Sequence, residues 1–224
     1  MGAGDRLPHG YTNRTRLKGG LVEKRHRGPA RHAAAAREAA VLRALDGLLP
    51  VPGVVEYDRR EPLLRLAFVE GVNGQALLEK GLAGPVLGAC GAFLREVAAV
   101  AVEPFGFLAP GGHLVHGDYG PHNLLLAPDA GRVVGIVDWE WARRGDPIED
   151  LAWAEWIVRH HHADCLRALD ALFAGFGREP AWQVRHGYMV DNCRRVLRRV
   201  ERRGDPRAVA GWRGRLEWTL DLRA

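Results

Sequence analysis

The sequence predicts an α+β protein in two unequal parts, a small β-rich front with one helix and a larger, mainly helical back carrying a few short strands. Short β-type runs, separated by glycine or charged turns, crowd residues 11–69. Helix-forming stretches dominate beyond residue 71, and the change of character falls near residues 70–73, so the expected lobes are 1–70 and 71–224. The composition agrees: 47% hydrophobic and 26% charged residues over 224 positions is the balance of a globular chain long enough to bury a core.

Taken in order, residues 11–17 and 21–25 flank Lys18-Gly19-Gly20 and read as a β-hairpin with a glycine turn. Pro29 precedes a run of good helix formers reaching about Leu45, and proline suits a helix's first turn. Residues 54–57 and 63–69 read as two more strands divided by the charged turn 58–62. Residues 75–80 and 85–102 are helix candidates, the second opening on Pro85 and closing before Pro104. Short apolar runs at 114–115, 124–127 and 133–137 follow, and the remainder from Ile148 is largely helical.

Residues 1–24 are polar, charged and glycine-rich, so no signal peptide is expected. The longest nearly uncharged stretch, 81–94, is interrupted by Gly84, Pro85, Gly88 and Gly91 and falls short of the ~20 residues a membrane-spanning helix needs. A soluble, cytoplasmic protein is expected. Cys90, Cys165 and Cys193 are far apart and odd in number, which reads as reduced, buried thiols and not as a disulfide framework. The net charge of +5 suits anionic ligands such as nucleotides and permits loose nucleic-acid binding without selecting either. Its excess lies in residues 1–100, with 15 basic against 10 acidic side chains, whereas residues 101–224 hold 17 of each.

The chemistry concentrates in residues 116–151. His116-Gly117-Asp118-Tyr119-Gly120-Pro121-His122-Asn123 runs into an apolar strand, a second strand leads to Asp138-Trp139-Glu140, and Gly145-Asp146-Pro147 and Asp150-Leu151-Ala152 follow. The D-x-x-x-x-N spacing from Asp118 to Asn123 resembles the catalytic loop of protein kinases, with Asp138 in the place of the kinase DFG aspartate. Phosphoryl transfer needs a group that orients the attacking hydroxyl and accepts its proton, and metal ions that bridge the phosphates. A carboxylate opening a tight loop can face the acceptor. An amide five residues on, and a carboxylate on the paired strand, can approach one cation from two sides. Magnesium takes a few such oxygens and completes its shell with water and phosphate.

These residues resemble the aminoglycoside-phosphotransferase and choline-kinase superfamily more closely than protein kinases: His-Gly-Asp stands for His-Arg-Asp, Asp-Trp-Glu for Asp-Phe-Gly, and the Gly-Asp-Pro and Asp-Leu-Ala tail is also that family's. The resemblance implies a two-lobed, protein-kinase-like fold and transfer of the γ-phosphate of ATP, with Mg2+, to a hydroxyl of a small molecule. It implies Asp118 as the catalytic carboxylate, Asn123 and Asp138 as magnesium ligands, Glu140 beside them, and Asp150 bracing the loop through backbone hydrogen bonds. In the front half, residues 10–15, with Thr12 and Asn13, resemble the loop that covers the phosphates. Lys24, on the same strand face as Val22, is expected to reach the α- and β-phosphates, with Arg25 as its competitor. Glu38 shares a helical face with Val41, Leu42 and Leu45, so it points inward and needs a partner, which in the family pattern is the strand lysine. Phe68 and Val69 sit where the family's hinge binds adenine through its backbone. Only nine residues precede Gly10, so a trimmed version of the usual five-stranded nucleotide lobe is expected.

The acceptor is open: an aminoglycoside or other antibiotic, a sugar, an amino alcohol or a phosphorylated metabolite. An aminoglycoside, a polycation, would need acids such as Glu149, Glu155, Asp164, Asp170 and Asp191. Kinase-like ligand or partner binding without phosphotransfer is the alternative. Arg194, Arg195, Arg198, Arg199 and Arg202 form a stripe that reads first as a solvated helix face, and otherwise as a contact for an anionic substrate or nucleic acid. Nucleic acid and membrane are not expected as partners. The tryptophans at 139, 141, 153 and 156 read as core packing before sugar or base stacking. His160-His161-His162 point in different directions on a helix and do not make a zinc site.

Overall fold

The computed structural model describes residues 13–224. The front is a four-stranded antiparallel sheet in the order β1-β2-β4-β3, formed by β1 (Arg14–Lys18), β2 (Leu21–Arg25), β3 (Val54–Asp58) and β4 (Leu63–Ala67). Gly19 and Gly20 both take positive φ, 59° and 76°, the two-residue turn whose twist matches that of the strands it joins. Along β2 the alternation is decisive. Glu23 turns to the outer face, where Arg16 at 2.6 Å and Arg65 at 3.2 Å hold it, so Lys24 is left facing inward.

Helix α1 (Arg31–Leu45) covers the inner face with Ala35, Glu38, Ala39, Val41, Leu42 and Leu45 buried. Its N-cap is Ala30, so Pro29 lies just outside the first turn in which it was expected. The sheet's last strand ends at Ala67, leaving Phe68 and Val69 beyond it.

The larger lobe begins with β5 (Val72–Asn73), which pairs with β7 (Leu124–Leu126), and β7 pairs in turn with β8 (Val133–Ile136). A separate pair joins β6 (His113–Val115) to β9 (Arg143–Gly145). Strands β5 and β9, of two and three residues, are too short for a periodic signal. Helix α2 (Gly74–Glu79) is capped by Asn73, whose side chain accepts from the Gln75 N–H at 3.0 Å. Helix α3 (Ala83–Ala99) stops three residues before its expected end because Val100 turns to an extended conformation. Helices α4 (Ile148–His161), α5 (Leu169–Phe176), α6 (Trp182–Arg203) and α7 (Pro206–Leu220) complete the lobe.

The glycines that interrupt residues 81–94 do not break α3. They let it meet α5 backbone to backbone: a Cβ on Gly91 would stand 2.0 Å from the Leu172 carbonyl oxygen, and one on Gly175 would stand 2.2 Å from that of Gly88. One continuous core runs from Leu42 and Leu64 of the front through Leu87, Phe93, Leu124 and Ile136 to Leu151 and Leu172. A second, between α4 and α6, gathers Trp153, Trp156, Met189, Cys193 and Val196. Cys90, Cys165 and Cys193 are buried and free. Among the described residues, no helix is long and apolar enough to cross a membrane.

Candidate active site

The loop after β6 is fixed from below. Asp150, buried at the start of α4, accepts the His116 N–H at 2.7 Å and the Gly117 N–H at 2.9 Å, the bracing expected of it. Gly117 has φ 87°, and a Cβ there would stand 2.6 Å from the Trp141 carbonyl oxygen, so neither the space nor the backbone admits a side chain.

Asp118 then projects half-buried with both oxygens engaged. Trp153 Nε1 donates to Oδ1 at 2.9 Å, Asn123 Nδ2 lies 3.3 Å from Oδ2, and His122 Nε2 lies 3.5 Å from Oδ2. Burial works to raise its pKa, but the His122 charge and the donors His122 and Trp153 outweigh it and hold the carboxyl at about 2. The anion is therefore stable, oriented and weakly basic.

Asn123 closes a short 3-10 turn, Pro121–Asn123, and donates to the Asp118 backbone carbonyl at 2.8 Å. Pairing of β7 with β8 continues through the Val137 N–H to Asn123 carbonyl bond of 3.0 Å, which brings Asn123 and Asp138 to the same end of the ladder. Asp138 has left-handed φ 68° and ψ 55°, a conformation aspartate tolerates better than most residues. It turns the carboxylate back toward the front lobe.

There Lys24 meets it. Lys24 Nζ lies 2.7 Å from both Glu38 oxygens and 2.8 Å from Asp138 Oδ1. Burial would depress the lysine pKa, yet the Asp138, Glu38 and Glu140 charges prevail and raise it. Burial likewise opposes ionisation of Glu38, but the Lys24 charge and the His26 hydrogen bond at 2.7 Å bring it to about 2. The competitor, Arg25, is exposed and bonded to Glu61. Glu140 is also buried; it accepts from Asn13 Nδ2 at 3.0 Å, and burial together with the neighbouring Asp138 pushes its pKa up.

The structure thus brings together Asp118, Asn123, Asp138, Lys24 and Glu38, with Glu140 alongside. Asn13 is drawn into the same cluster by Glu140, and its Oδ1 accepts the Arg27 N–H at 3.3 Å. Thr12 lies outside the described residues. Phe68 is exposed and Val69 half-buried, just past the end of β4. Three contributors escaped the sequence reading: His26, His122 and Trp153. His26 had a signal, two residues past Lys24 in the alternation that β2 sets, although the strand itself ends at Arg25. Trp153 had none beyond being aromatic, since only the tertiary fold brings α4 under the loop. The arginine stripe needs correction in part: Arg194, Arg198 and Arg202 are exposed as a solvated face requires, but Arg195 and Arg199 are half-buried.

Among the described residues, no three His, Cys, Asp or Glu side chains converge as a metal cage. The donor set suits magnesium, which needs only one or two protein oxygens beside phosphate and water. Burial first, and the Asp138 charge second, push Glu140 up, and a divalent cation at Asp138 would relieve the second of these. A concavity of about 710 Å³ lies elsewhere, between Arg95, His113, Asp146 and Arg178, and none of the five clustered residues lines it.

The family model named APH, phosphotransferase enzyme family, matches residues 4–114 and 110–188. The chain belongs to that family. Relatives of the phosphotransferase enzyme family with solved structures share the fold. The GDP and kanamycin complex of APH(2")-IIIa superposes with a TM-score of 0.72 at 17% identity, covering 97% of this chain and 93% of that one. The streptomycin-ATP-APH(2")-IIa ternary complex gives a TM-score of 0.65 at 11% identity, covering 94% and 91%. At this identity the likeness establishes the two-lobed, kinase-like fold. A curated relative, acyl-CoA dehydrogenase family member 11 of Gallus gallus, is 42% identical over 41 residues, 18% of this chain and 5% of that protein's length.

Proposed function

We propose that this family member is an ATP- and Mg2+-dependent phosphotransferase that moves the γ-phosphate onto a hydroxyl of a small molecule. The observation that carries the reading is Lys24, buried and held at 2.7 Å by Glu38 and at 2.8 Å by Asp138. A buried cation shared between the two lobes, beside an oriented carboxylate, is a phosphate-binding arrangement. In this reading Glu38 aims Lys24 at the α- and β-phosphates. The loop holding Thr12 and Asn13 covers the nucleotide, and the backbone at Phe68 and Val69 binds adenine. Asn123 and Asp138 would hold Mg2+, which supplies neutralisation of phosphate charge.

Asp118 orients the acceptor hydroxyl. A bond forms between the acceptor oxygen and the γ-phosphorus as the bond to the β–γ bridging oxygen breaks. The hydroxyl proton passes to Asp118 and ADP leaves. A carboxyl with a pKa of about 2 is a poor base, so proton transfer comes late and positioning dominates.

Thermal unfolding with and without Mg·ATP, repeated on Asp138→Ala, tests the nucleotide site. Ligand at ~100 times its Kd stabilises by ~2.7 kcal/mol, which is roughly 5–11 °C for a domain of this size. That shift should be present in the wild type and lost in the variant. Asp118→Ala should keep the shift while lowering turnover ~10²–10⁴-fold. No shift at millimolar nucleotide rejects the reading, and a shift without phosphotransfer favours a ligand-binding relative of the enzymes.

A further inference from the structure

Helix α6 buries Met189, Cys193, Val196 and Val200 in the second core. Along the edge of that seam Arg195, Arg199 and Arg203 follow one another at four-residue intervals on one face. At one end, Arg195 shares Glu149 with Arg143: Arg195 Nη2 is 3.1 Å from Glu149 Oε2, and Arg143 bonds the same oxygen. Two guanidinium groups therefore rest on a single carboxylate. At the other end, the Arg203 Nε lies 3.5 Å from where a Cβ on Gly28 would stand, so this residue reaches the loop between β2 and α1 in the front lobe. Between them Arg199 sits over Trp141, its Cζ 3.7 Å from the ring centroid. Trp141 in turn packs against Gly117, the residue before Asp118.

Arg199 is half-buried and has no carboxylate within bonding distance among the described residues. Burial brings its pKa down to about 10; Glu140 and Asp118 pull the other way, and Arg203 and Arg202 add repulsion. A partly desolvated guanidinium of this kind calls for an anionic partner, which it binds through two parallel N–H donors. Of the acids that a polycation would need, Glu149, Glu155 and Asp191 are already paired, whereas Asp164 and Asp170 are exposed and form no ion pair among the described residues. Glu155 is bonded by Arg159 at 2.8 Å and Arg185 at 2.7 Å, and Glu149 by Arg143 and Arg195. Asp191 pairs with Arg194 on the exposed side.

We propose that the phosphate acceptor is a small hydroxylated anion, its carboxylate or phosphate group docked on Arg199 between Arg195 and Arg203 while its hydroxyl faces Asp118. The inference rests on the phosphotransferase reading and adds to it the charge class of the acceptor.

The test loads the full chain with Mg2+ and a non-hydrolysable ATP analogue, confirms loading by its thermal shift, and titrates glycerate, glycerol 3-phosphate, glycerol and kanamycin by calorimetry. Glycerate or glycerol 3-phosphate should bind at least tenfold more tightly than glycerol or kanamycin. The preferred one of the two identifies carboxylate or phosphate as the docking group. Arg199→Gln should weaken that anion at least tenfold with nucleotide loading unchanged, Arg199→Lys should recover part of the loss, and Arg194→Ala should match the wild type. Glycerol or kanamycin binding as tightly as either anion, or neither anion binding at millimolar concentration, overturns the inference. So does a loss in Arg199→Gln confined to nucleotide affinity, which would assign that arginine to the γ-phosphate. Failure of the loading step itself is separate and speaks against the nucleotide site.

Discussion

Trp153 donates its indole N–H to Asp118 Oδ1 at 2.9 Å, and the same ring stacks on Trp156 with a centroid separation of 4.5 Å and an interplanar angle of 3°. The carboxylate proposed to orient the acceptor is thus aimed by a side chain that is itself locked by packing. Trp153→Phe keeps an aromatic ring in the stack and removes the donor. A hydrogen bond to a charged group contributes ~1.5–3 kcal/mol, so turnover should fall about ten- to a hundredfold while the protein stays folded by circular dichroism. In an Asp118→Asn background the same change should add little. An equal loss there would mean that the tryptophan acts through packing alone.

Glu38 holds Lys24 and His26 at once, both at 2.7 Å. Glu38→Leu takes from the buried Lys24 ammonium one of its two bonded carboxylates, leaving Asp138 at 2.8 Å, and breaking one side of a buried pair costs up to ~3–5 kcal/mol. Urea titration should show a loss of that size. Lys24→Met combined with Glu38→Leu removes the ammonium as well but leaves Asp138 and the buried Glu140 without their counter-charge, so it should not recover nucleotide binding.

Asp150 satisfies two backbone N–H groups that have no other partner in the loop. Leaving a buried donor unpaired costs ~1–3 kcal/mol each. Asp150→Ala should therefore destabilise by roughly 2–6 kcal/mol and depress turnover without touching the nucleotide. Asp150→Asn keeps one acceptor oxygen and should lie between the two. Chemical denaturation and steady-state turnover on the same preparations check both effects.

Histidines 160, 161 and 162 all have pKa values lowered by burial, His161 to about 4. Their folded-state values lie below the unfolded value of about 6.5. Between those limits the unfolded chain binds more protons than the folded one, so stability falls as pH drops. Tm should decline from pH 7.5 to 5, and a His160→Gln, His161→Gln, His162→Gln variant should flatten that slope. A slope unchanged in the variant would remove these histidines from the account.

The charged cluster was largely legible because its parts carry local signals. Asp118 and Asn123 announce themselves by spacing, Lys24 by strand alternation, and Glu38 by sharing a helical face with leucines. Asp150 could be read from its place in the tail that follows. The signals fail where side chains meet only through tertiary folding. Nothing near Trp153 says that its ring edge will point at Asp118. Nothing in the arginine run separates Arg194, which faces solvent, from Arg199, which lies on Trp141. Among the elements, β5 and β9 pair across long stretches of sequence and are too short to show a period. The end of α3 was overrun because Val100 and Ala101 are compatible with a helix that the backbone nevertheless leaves.

The glycine seam between α3 and α5 divides the molecule by how freely it can change in a lineage or a laboratory. At Gly91 and Gly175 any side chain would collide with a neighbouring backbone carbonyl at 2.0 or 2.2 Å, so the seam admits no drift. Helix α6, by contrast, carries long side chains along its outer face, many of them exposed, where substitutions leave the backbone untouched. If α6 docks the acceptor as proposed, selection for a new one would find its raw material there, with the α3–α5 floor as the base on which each variant is built.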